Sequence, residues 1–472
     1  MNQGAVFRIR KTAFLFIRRP VQRKYAAQRC AGVKERCQQE PGIQVRKMDK
    51  RKRYWMTGCI FGGIVTLVVL LNTAAWNSTA FADWYIAHVF PIWVNTYGRV
   101  TGLFSFSVGE WLLAAGVVLV VLALLLGAVW AVIGIVTCAY GGMVRLRGKA
   151  QGSLPKRENI IKSPIFGFFK GFSKRFYVFF AWALLAVSLI MTLNCFILYH
   201  ASTFSEHYFG QDQEEYTLVE LIQVYNMVVE QCNRLAGVME RDEKGMVLYM
   251  GSVGEKGQAL DMADMAREQM KRLGRTYSQL DGYYPRPKAL LSSDFMCQQY
   301  MQGYYFPFSM EANYNDVMHI LNIPSTMCHE LAHLRGYIYE DEANFIGYLA
   351  CVQSEDAFFQ YAGYLSVLNY LNNDLYKAWE ESRSAYEEAA AMVPPMAVDN
   401  QVWEDNIFVV QEEWDRINGK AIIDTEVVDA AADVFIDTNL KVNGVADGAI
   451  SYSRVVRLLL QYYKQNGFMV KS

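Results

Sequence analysis

Three long apolar segments divide the first 200 residues of the chain. They run over roughly residues 54–75, 111–138 and 176–198, and each has the length of about 20 residues that a helix needs to cross a bilayer. Apolar runs of this length are rare among the core helices of soluble domains. The pattern therefore predicts a membrane module over residues 54–200, with three transmembrane helices in contact with membrane lipid.

An aromatic segment separates the first two apolar runs. Residues 81–106 are rich in Trp, Tyr and Phe and are interrupted by Pro91 and Gly98. Aromatic side chains concentrate at the boundary between hydrocarbon and water, and proline and glycine interrupt regular helices. We therefore expect an interfacial loop or a short re-entrant segment here.

Beyond about residue 211 the chain becomes polar, and apolar residues recur three and four positions apart, which is typical of amphipathic helices. The spacing predicts helices over 216–236, 261–273, from about 323 onward, 358–370, 376–392 and 451–465. Residues 288–293 and 304–308 instead have the composition and flanking turns of short strands. The expected fold is mainly α, with a mostly helical domain over residues 201–472 that contains a small β-sheet.

Charge is distributed unevenly along the chain. Residues 1–53 carry sixteen Lys and Arg against three acidic residues, whereas residues 201–472 carry twenty against forty. Nine Lys and Arg lie between positions 141 and 175, but only Arg99 lies between positions 76 and 110. Because basic loops stay in the cytoplasm, the N-terminal segment is predicted to be cytoplasmic. Three crossings then place residues 201–472 on the extracytoplasmic face, in a multi-pass protein of the cell membrane.

The first apolar run is expected to be a permanent anchor. A leader of 53 residues precedes it, and its apolar stretch is longer than that of a signal peptide. Residues 1–47 fit either a basic tail that binds the membrane surface or a leader upstream of a translation start at Met48. Both interpretations stay open.

Several function classes lack their sequence signatures. The nine cysteines form no CxxC pair and have no regular spacing, which argues against a zinc ribbon and a disulfide scaffold. Pairing among four of them stays open: Cys232, Cys297, Cys328 and Cys351. There is no phosphate-binding loop, no serine elbow and no basic patch outside the membrane flanks, so no nucleic-acid partner is expected.

One motif carries metal chemistry. The string His329-Glu-Leu-Ala-His333 fits HExxH, and residues four apart share one face of a helix. Both imidazoles can then bind one Zn²⁺, while Glu330 reaches a zinc-bound water. Pro324 suits the start of this helix and Gly336 its end.

A catalytic zinc normally takes three protein ligands, and the acidic run after the motif supplies candidates. Glu340 would share a helical face with Asn344, which could orient a ligand histidine through a hydrogen bond. Six residues separate His333 from Glu340 and span about 20 Å when extended, so a turn at Gly336 can return the carboxylate to the metal. Glu342 is the rival third ligand.

Three stretches carry a family resemblance: the run that begins at His329 and ends at Phe345, Tyr305-Phe-Pro-Phe-Ser-Met-Glu-Ala-Asn313 before it, and the late Asp447-Gly-Ala-Ile-Ser-Tyr-Ser-Arg-Val-Val. They resemble a family of functionally uncharacterised bacterial membrane proteins with N-terminal transmembrane helices and an HExxH domain. A broader likeness to gluzincin peptidases implies a zincin-like fold and zinc-dependent hydrolysis. The chain departs from the thermolysin-like pattern in the short spacing before Glu340 and in having Asn344 where an acid is common.

Further residues are candidates for contact with a substrate. Arg335, Tyr337 or Tyr361 could donate to the developing oxyanion, and the spacing does not choose among them. The predicted strands could pair with an extended substrate backbone. Glu311 with Asn313 could bind a substrate terminus, and a plain turn explains these two residues equally well.

The leading hypothesis is a membrane-anchored zinc metallopeptidase that hydrolyses peptide bonds of extracytoplasmic proteins or peptides, with Glu330 as general base on zinc-bound water. Two alternatives remain. One is a zinc hydrolase or amidase that acts on cell-wall material, and the other is a catalytically silent membrane receptor or scaffold.

Overall fold

The computed structural model describes residues 50–146, 164–210, 216–254, 257–442 and 452–467. The chain divides into two compact units, Met1–Trp55 and Met56–Ser472, and all contacts discussed below lie within the second. Most of the predicted basic segment, residues 1–49, and the start of the late motif at Asp447 lie outside the described residues.

Three helices in the described residues are long and apolar enough to cross a membrane. They are α1 (Lys50–Asn77), α4 (Val108–Leu146) and α5 (Pro164–Met191), which a π-turn (Thr192–Phe196) and a 3-10 turn (Leu198–His200) extend. The apolar spans run over Tyr54–Asn77, Val108–Ala139 and Phe166–His200, and few of their side chains are buried in the protein. The prediction of three N-terminal apolar helices is confirmed, and it indicates association with a membrane.

The aromatic segment between α1 and α4 is helical, which corrects the expectation of a loop or re-entrant segment. It forms α2 (Thr79–His88) and α3 (Phe90–Thr101). The side chain of Ser78 accepts a hydrogen bond from the backbone N–H of Phe81 and caps α2. Pro91 lies in the first turn of α3, where its missing N–H is tolerated. The proline therefore starts a helix here and does not interrupt one.

The remainder is mostly helical, as predicted. The helices are α6 (Phe204–Tyr208), α7 (Leu218–Ala236), α8 (Met262–Gly274), α9 (Ser293–Cys297), α10 (Ile323–His333), α11 (Glu340–Val352), α12 (Ala357–Glu381), α13 (Arg383–Met392), α14 (Asn400–Asp405), α15 (Gln411–Lys420), α16 (Thr425–Val442) and α17 (Tyr452–Gln465). Short 3-10 turns cover Ser278–Leu280 and Ile320–Asn322.

Two small sheets accompany the helices. An antiparallel pair joins β1 (Ser252–Val253) and β2 (Ala259–Leu260). A three-stranded sheet has the order β3-β5-β4, with β3 (Lys288–Ala289), β4 (Gly303–Phe306) and β5 (Glu311–Tyr314). Strands β3 and β5 are parallel, and β4 pairs antiparallel with β5 so that Tyr305 lies opposite Ala312. The sequence predicted β3 and β4, whereas the residues of β5 were expected to form a turn or to bind a substrate terminus, and not to form a strand.

Helices α10 and α11 form the centre of the core. Leu331 of α10 and three large side chains of α11, Phe345, Tyr348 and Leu349, are fully buried. Burying a side chain of this size contributes about 1.5 to 3 kcal/mol relative to its exposed state. The packing of these four side chains holds α10 and α11 rigidly against each other.

The four cysteines whose pairing was open are all free and buried.

Candidate metal centre

The two histidines of the HExxH motif share one face of α10. Their Nε2 atoms are 3.1 Å apart. Two nitrogen ligands at about 2.05 Å from a tetrahedral zinc would be separated by about 3.3 Å. The separation therefore suits two ligands of one ion without a rearrangement of the helix.

The chain reverses direction between α10 and α11. Gly336 adopts a positive φ of 94°, and the side chain of Ile86 from α2 occupies the place where a Cβ would project. Only glycine accepts both conditions easily. After this turn, Tyr339 is extended and Glu340 begins α11, so the acidic end of α11 lies next to the histidine pair.

Glu340 is the carboxylate that approaches both imidazoles. Its Oε2 lies 3.1 Å from Nε2 of His329, and its Oε1 lies 3.8 Å from Nε2 of His333. Within the described residues, one ligand atom from each of these three side chains lies within 4.8 Å of the others. The Glu340 side chain is 52% exposed, whereas those of His329 and His333 are 13% and 5% exposed. The donor set fits zinc, and its accessible side is the one that Glu340 occupies.

Hydrogen bonds orient both rings. Nδ1 of His333 lies 2.6 Å from the carbonyl oxygen of Tyr337, which can only accept, so this nitrogen carries the proton. Nδ1 of His329 lies 2.9 Å from Oδ1 of Asn344, whose Nδ2 donates to the hydroxyl of Tyr370. Each Nε2 is thereby left to act as the ligand atom, in the arrangement common to zinc-binding histidines.

Glu330 is buried beside the pair. Its Oε1 is 4.0 Å from Nε2 of His329, and its Oε2 has no hydrogen-bond partner in the described part of the chain. A Cβ at Gly303 of β4 would lie 2.8 Å from Oε1, so the strand passes directly against the carboxylate. Burial raises the pKa of Glu330 to about 8.

The pKa values at the centre reflect opposing effects. Burial alone lowers the pKa of His329, but the hydrogen bond and the charge of Glu340 outweigh it and raise this pKa to about 9. Burial lowers the pKa of His333 to about 4. The side chain of Glu340 is half-exposed, so desolvation by the surrounding protein raises its pKa only in part, and the two histidines outweigh this effect and bring the pKa to about 2. Glu340 is thus an anionic partner for both imidazoles, and a metal ion at this site would displace the Nε2 proton of His329.

Glu342 points away from the histidines. It is buried, and its Oε1 accepts a hydrogen bond of 2.5 Å from the backbone N–H of Phe204. Burial, and next the charge of Asp341, raise the pKa of Glu342 well above its ordinary value. Of the two rival carboxylates, the structure brings only Glu340 to the pair.

The candidate oxyanion donors are engaged elsewhere. Arg335 donates to the carbonyls of Gln279 and Asp281. The ring of Tyr337 packs on Phe204 in the core, with ring centroids 5.5 Å apart. The hydroxyl of Tyr361 donates to Asp405 at 2.7 Å. The contact of Tyr337 with the centre is made by its backbone carbonyl and not by its phenol.

Glu311 does not lie where a substrate terminus could reach it. The residue is 1% exposed, and Lys288 donates to its Oε1 at 2.5 Å. Backbone N–H groups of Val108 and Gly109, at the start of α4, and the hydroxyl of Ser309 also donate to this carboxylate. Both oxygens are used, so Glu311 joins the sheet to the membrane helix.

Three neighbours of the centre were missed by the sequence reasoning as site residues. The ring of Tyr305 lies 5.9 Å from that of His333, Tyr370 holds Asn344, and Gly303 makes room for Glu330. The glycine at the head of a short strand was a usable signal, since such a position often marks close approach of another group. No periodicity indicates the two tyrosines.

Comparison with known protein families gives a match over most of the chain. A family model described as "Protein of unknown function (DUF3810)" matches residues 85–460, which include the candidate metal centre. No curated protein and no solved structure shows a significant match.

Proposed function

The chain belongs to the DUF3810 family of proteins of unknown function, and from the chemistry of its metal centre we propose that it is a membrane-anchored zinc metallopeptidase. It would hydrolyse peptide bonds of extracytoplasmic proteins or peptides. The resemblance to gluzincins, with a zincin-like fold, is part of this proposal, as is the outward orientation of residues 201–472.

The observation that carries the proposal is the grouping of His329, His333 and Glu340 beside a buried carboxylate. Two Nε2 atoms 3.1 Å apart and a carboxylate oxygen 3.1 Å from one of them make a three-ligand set. Three protein ligands with an accessible side are typical of catalytic zinc, whereas structural zinc sites are usually closed by four. Within the part of the chain that the structure describes, Glu330 is the one further acid within 4.0 Å of the Nε2 atom of His329.

The residues of the centre have separate roles. Zinc, when bound, would act as a Lewis acid that polarises a peptide carbonyl and makes water more acidic. Glu330 accepts the proton of the attacking water and returns it to the leaving amine, a role suited to a carboxylate beside the histidine pair whose Oε2 has no hydrogen-bond partner among the described residues. Asn344 and the Tyr337 carbonyl keep the two rings in position. Strand β4 is paired on one side, by β5, and its other side is the candidate edge for an extended substrate.

A pair of isosteric substitutions tests the proposal in the full-length protein in detergent. We expect Glu330→Gln to retain zinc and to lose at least about a hundredfold in hydrolysis of a degenerate fluorogenic peptide pool, because the amide cannot accept the proton. Zinc content is measured by elemental analysis of the same samples.

Glu342→Gln is the matched control. Glu342 is a neighbouring buried acid with a strongly raised pKa, so glutamine mimics its neutral form and zinc and activity are expected to persist. Zinc bound by the wild type without any peptide hydrolysis would favour the receptor or scaffold hypothesis. Equal zinc content in the wild type and in His333→Ala would exclude this centre altogether.

A further inference from the structure

The apolar length of α5 locates the membrane boundary nearest to the metal centre. Exposed Lys174 and Arg175 are its last basic residues, and no charged residue follows until His200. At 1.5 Å per residue, the 20 residues after Arg175 extend about 30 Å, which equals the thickness of the hydrocarbon core. The opposite boundary therefore falls close to Asn194 and Cys195, where the helix changes to a π-turn.

The other spans agree with this boundary. Trp76 lies near the end of α1 and Trp111 near the start of α4. Both are more than half exposed, as expected of tryptophans at a membrane interface. The ring of Trp76 packs on that of His200, with centroids 4.5 Å apart. The ends of α1 and α5 are thus at one level.

Helices α2 and α3 lie between this boundary and the domain. One face packs on the domain: Ile86 fills the space at Gly336, and the hydroxyl of Thr101 donates to the carbonyl of Ser309 at 2.9 Å. The other face, with the loop that follows, exposes large apolar side chains, namely Trp84, Ile92, Val100, Leu103 and Phe104. Because α2 and α3 directly connect two membrane spans, lipid is the partner that covers this face.

One tyrosine side chain separates the metal centre from the boundary. The hydroxyl of Tyr305 donates to the carbonyl of Asn194 at 3.1 Å, and its ring is 5.9 Å from that of His333. Next to Glu340, the hydroxyl of Tyr339 donates to the carbonyl of Tyr199 at 2.6 Å. The polar headgroup layer is about 5 to 7 Å deep on each side, so the centre lies near the level of the headgroups.

The height of the centre above the boundary is held by rigid contacts. Lys288 donates to the carbonyl of Thr101 at the end of α3 and to Glu311, which binds the start of α4. Glu110 in the first turn of α4 accepts from the backbone N–H groups of Leu291 and Ser292. These contacts join the sheet and the residues after β3 directly to α3 and α4.

We infer that the substrate is a polypeptide anchored in the same membrane and cleaved in the segment next to the bilayer. The inference rests on the proposed peptidase function. A segment that leaves the bilayer is delivered to a site at headgroup level at high effective concentration, whereas the bilayer restricts the approach of a folded soluble protein. Because the height of the metal centre above the membrane boundary is fixed, only peptide bonds at a matching distance from the membrane would be cleaved.

A height-dependent cleavage assay tests this inference. The full-length protein is reconstituted in phosphatidylcholine–phosphatidylglycerol vesicles with a pool of random fluorogenic decapeptides fused to one transmembrane helix. The decapeptides follow the anchor directly or after a rigid helical spacer of 20 residues, which raises them by about 30 Å. We expect the direct fusion to be cleaved at least tenfold faster, and Glu330→Gln to cleave neither.

The outcomes separate the two claims. Equal or faster cleavage of the raised pool would overturn the membrane-proximal substrate while leaving the peptidase intact. Absence of cleavage of every pool, including the free decapeptides in detergent, would refute the peptidase and this inference with it.

A measurement independent of activity checks whether α2 and α3 lie at the level of the lipid headgroups. A fluorophore on Leu103→Cys, at a side chain that is 83% exposed, is expected to be quenched by lipids that carry a nitroxide near the headgroup. The matched control is Met250→Cys, which is 75% exposed beside Tyr249 on the domain and is expected to stay unquenched. Equal quenching at both sites, or at neither, would contradict the proposed level.

Discussion

At the level of single residues, the two histidines differ in what holds their Nδ1 atoms. His333 donates to a backbone carbonyl that no substitution of a side chain removes, whereas His329 depends on the amide of Asn344. The proposed metal centre is therefore expected to be more sensitive to mutation on the side of His329, even though the two histidines are equivalent in the motif.

Asn344→Ala tests this dependence. We expect zinc affinity to fall by about 10- to 100-fold, the usual effect of removing a partner that orients a ligand histidine. Competition with a chelator of known affinity measures the loss. Asn344→Asp, which keeps an acceptor oxygen, is expected to retain most of the affinity, and equal affinities for Asn344→Ala and wild type would show that the amide is dispensable.

Gly303→Ala tests the close approach of β4 to Glu330. The new Cβ would lie 2.6 Å from the carbonyl oxygen of Asn313 and 2.8 Å from Oε1 of Glu330, so the strand or the carboxylate must move. We expect a loss of about 1 to 3 kcal/mol in the free energy of unfolding, together with reduced peptide hydrolysis. Gly419→Ala on α15 is the control, since no atom lies within 4 Å of its added Cβ; identical effects of both changes would contradict the expectation.

At the level of elements, the sheet is connected to the membrane helices by a buried ion pair. The Lys288 and Glu311 side chains are 5% and 1% exposed, and Glu311 also accepts from the first N–H groups of α4. A carboxylate at the N-terminus of a helix is favoured by the helix dipole. The pair thereby links β3, β5 and α4 in one network.

Lys288→Met is expected to destabilise the protein strongly. It leaves the Glu311 carboxylate buried without its cation, a change that typically costs about 3 to 5 kcal/mol. Thermal unfolding in detergent micelles measures the effect. The double substitution Lys288→Met with Glu311→Gln removes the unpaired charge and should recover part of the loss, whereas a double variant less stable than the single one would refute the explanation.

At the level of the whole molecule, the domain and the membrane module share their core. Phe90 and Val94 of α3 and Ile197 at the end of α5 are buried in the same apolar cluster as Leu331 and Phe345. The predicted division at residue 200 is therefore a boundary in the sequence and does not separate two independent folding units.

The isolated fragment 201–472 is accordingly expected to fold poorly. The fragment lacks the backbone N–H groups of α4 that donate to Glu311. It also lacks the apolar faces of α2 and α3, including the Ile86 side chain that packs against Gly336. We expect a lower unfolding temperature than for the full chain and weaker zinc binding, measured by circular dichroism and chelator competition. A fragment that matches the full-length protein in both would contradict the shared core.

Local patterns in the sequence were sufficient for several features. The three apolar helices follow from runs of hydrophobic residues, and the shared face of His329 and His333 follows from a spacing of four on a helix. The helical content follows from apolar periodicity, because neighbouring residues alone determine which face of a helix is apolar. Strand β5 was missed because its residues Glu311 and Asn313 are polar, and because the lysine that pairs with the buried Glu311 lies 23 positions away in the sequence.

The tertiary structure decided which carboxylate joins the histidines. Glu340 and Glu342 are two residues apart on α11, so their side chains point about 200° apart around the helix, and the sequence alone left both as candidates. The packing of α11 against α10 turned Glu340 toward the imidazoles and Glu342 toward the N–H of Phe204. The level inferred for the centre relative to the membrane likewise depends on contacts such as that of Tyr305 with Asn194, which join residues more than 100 positions apart and leave no local pattern.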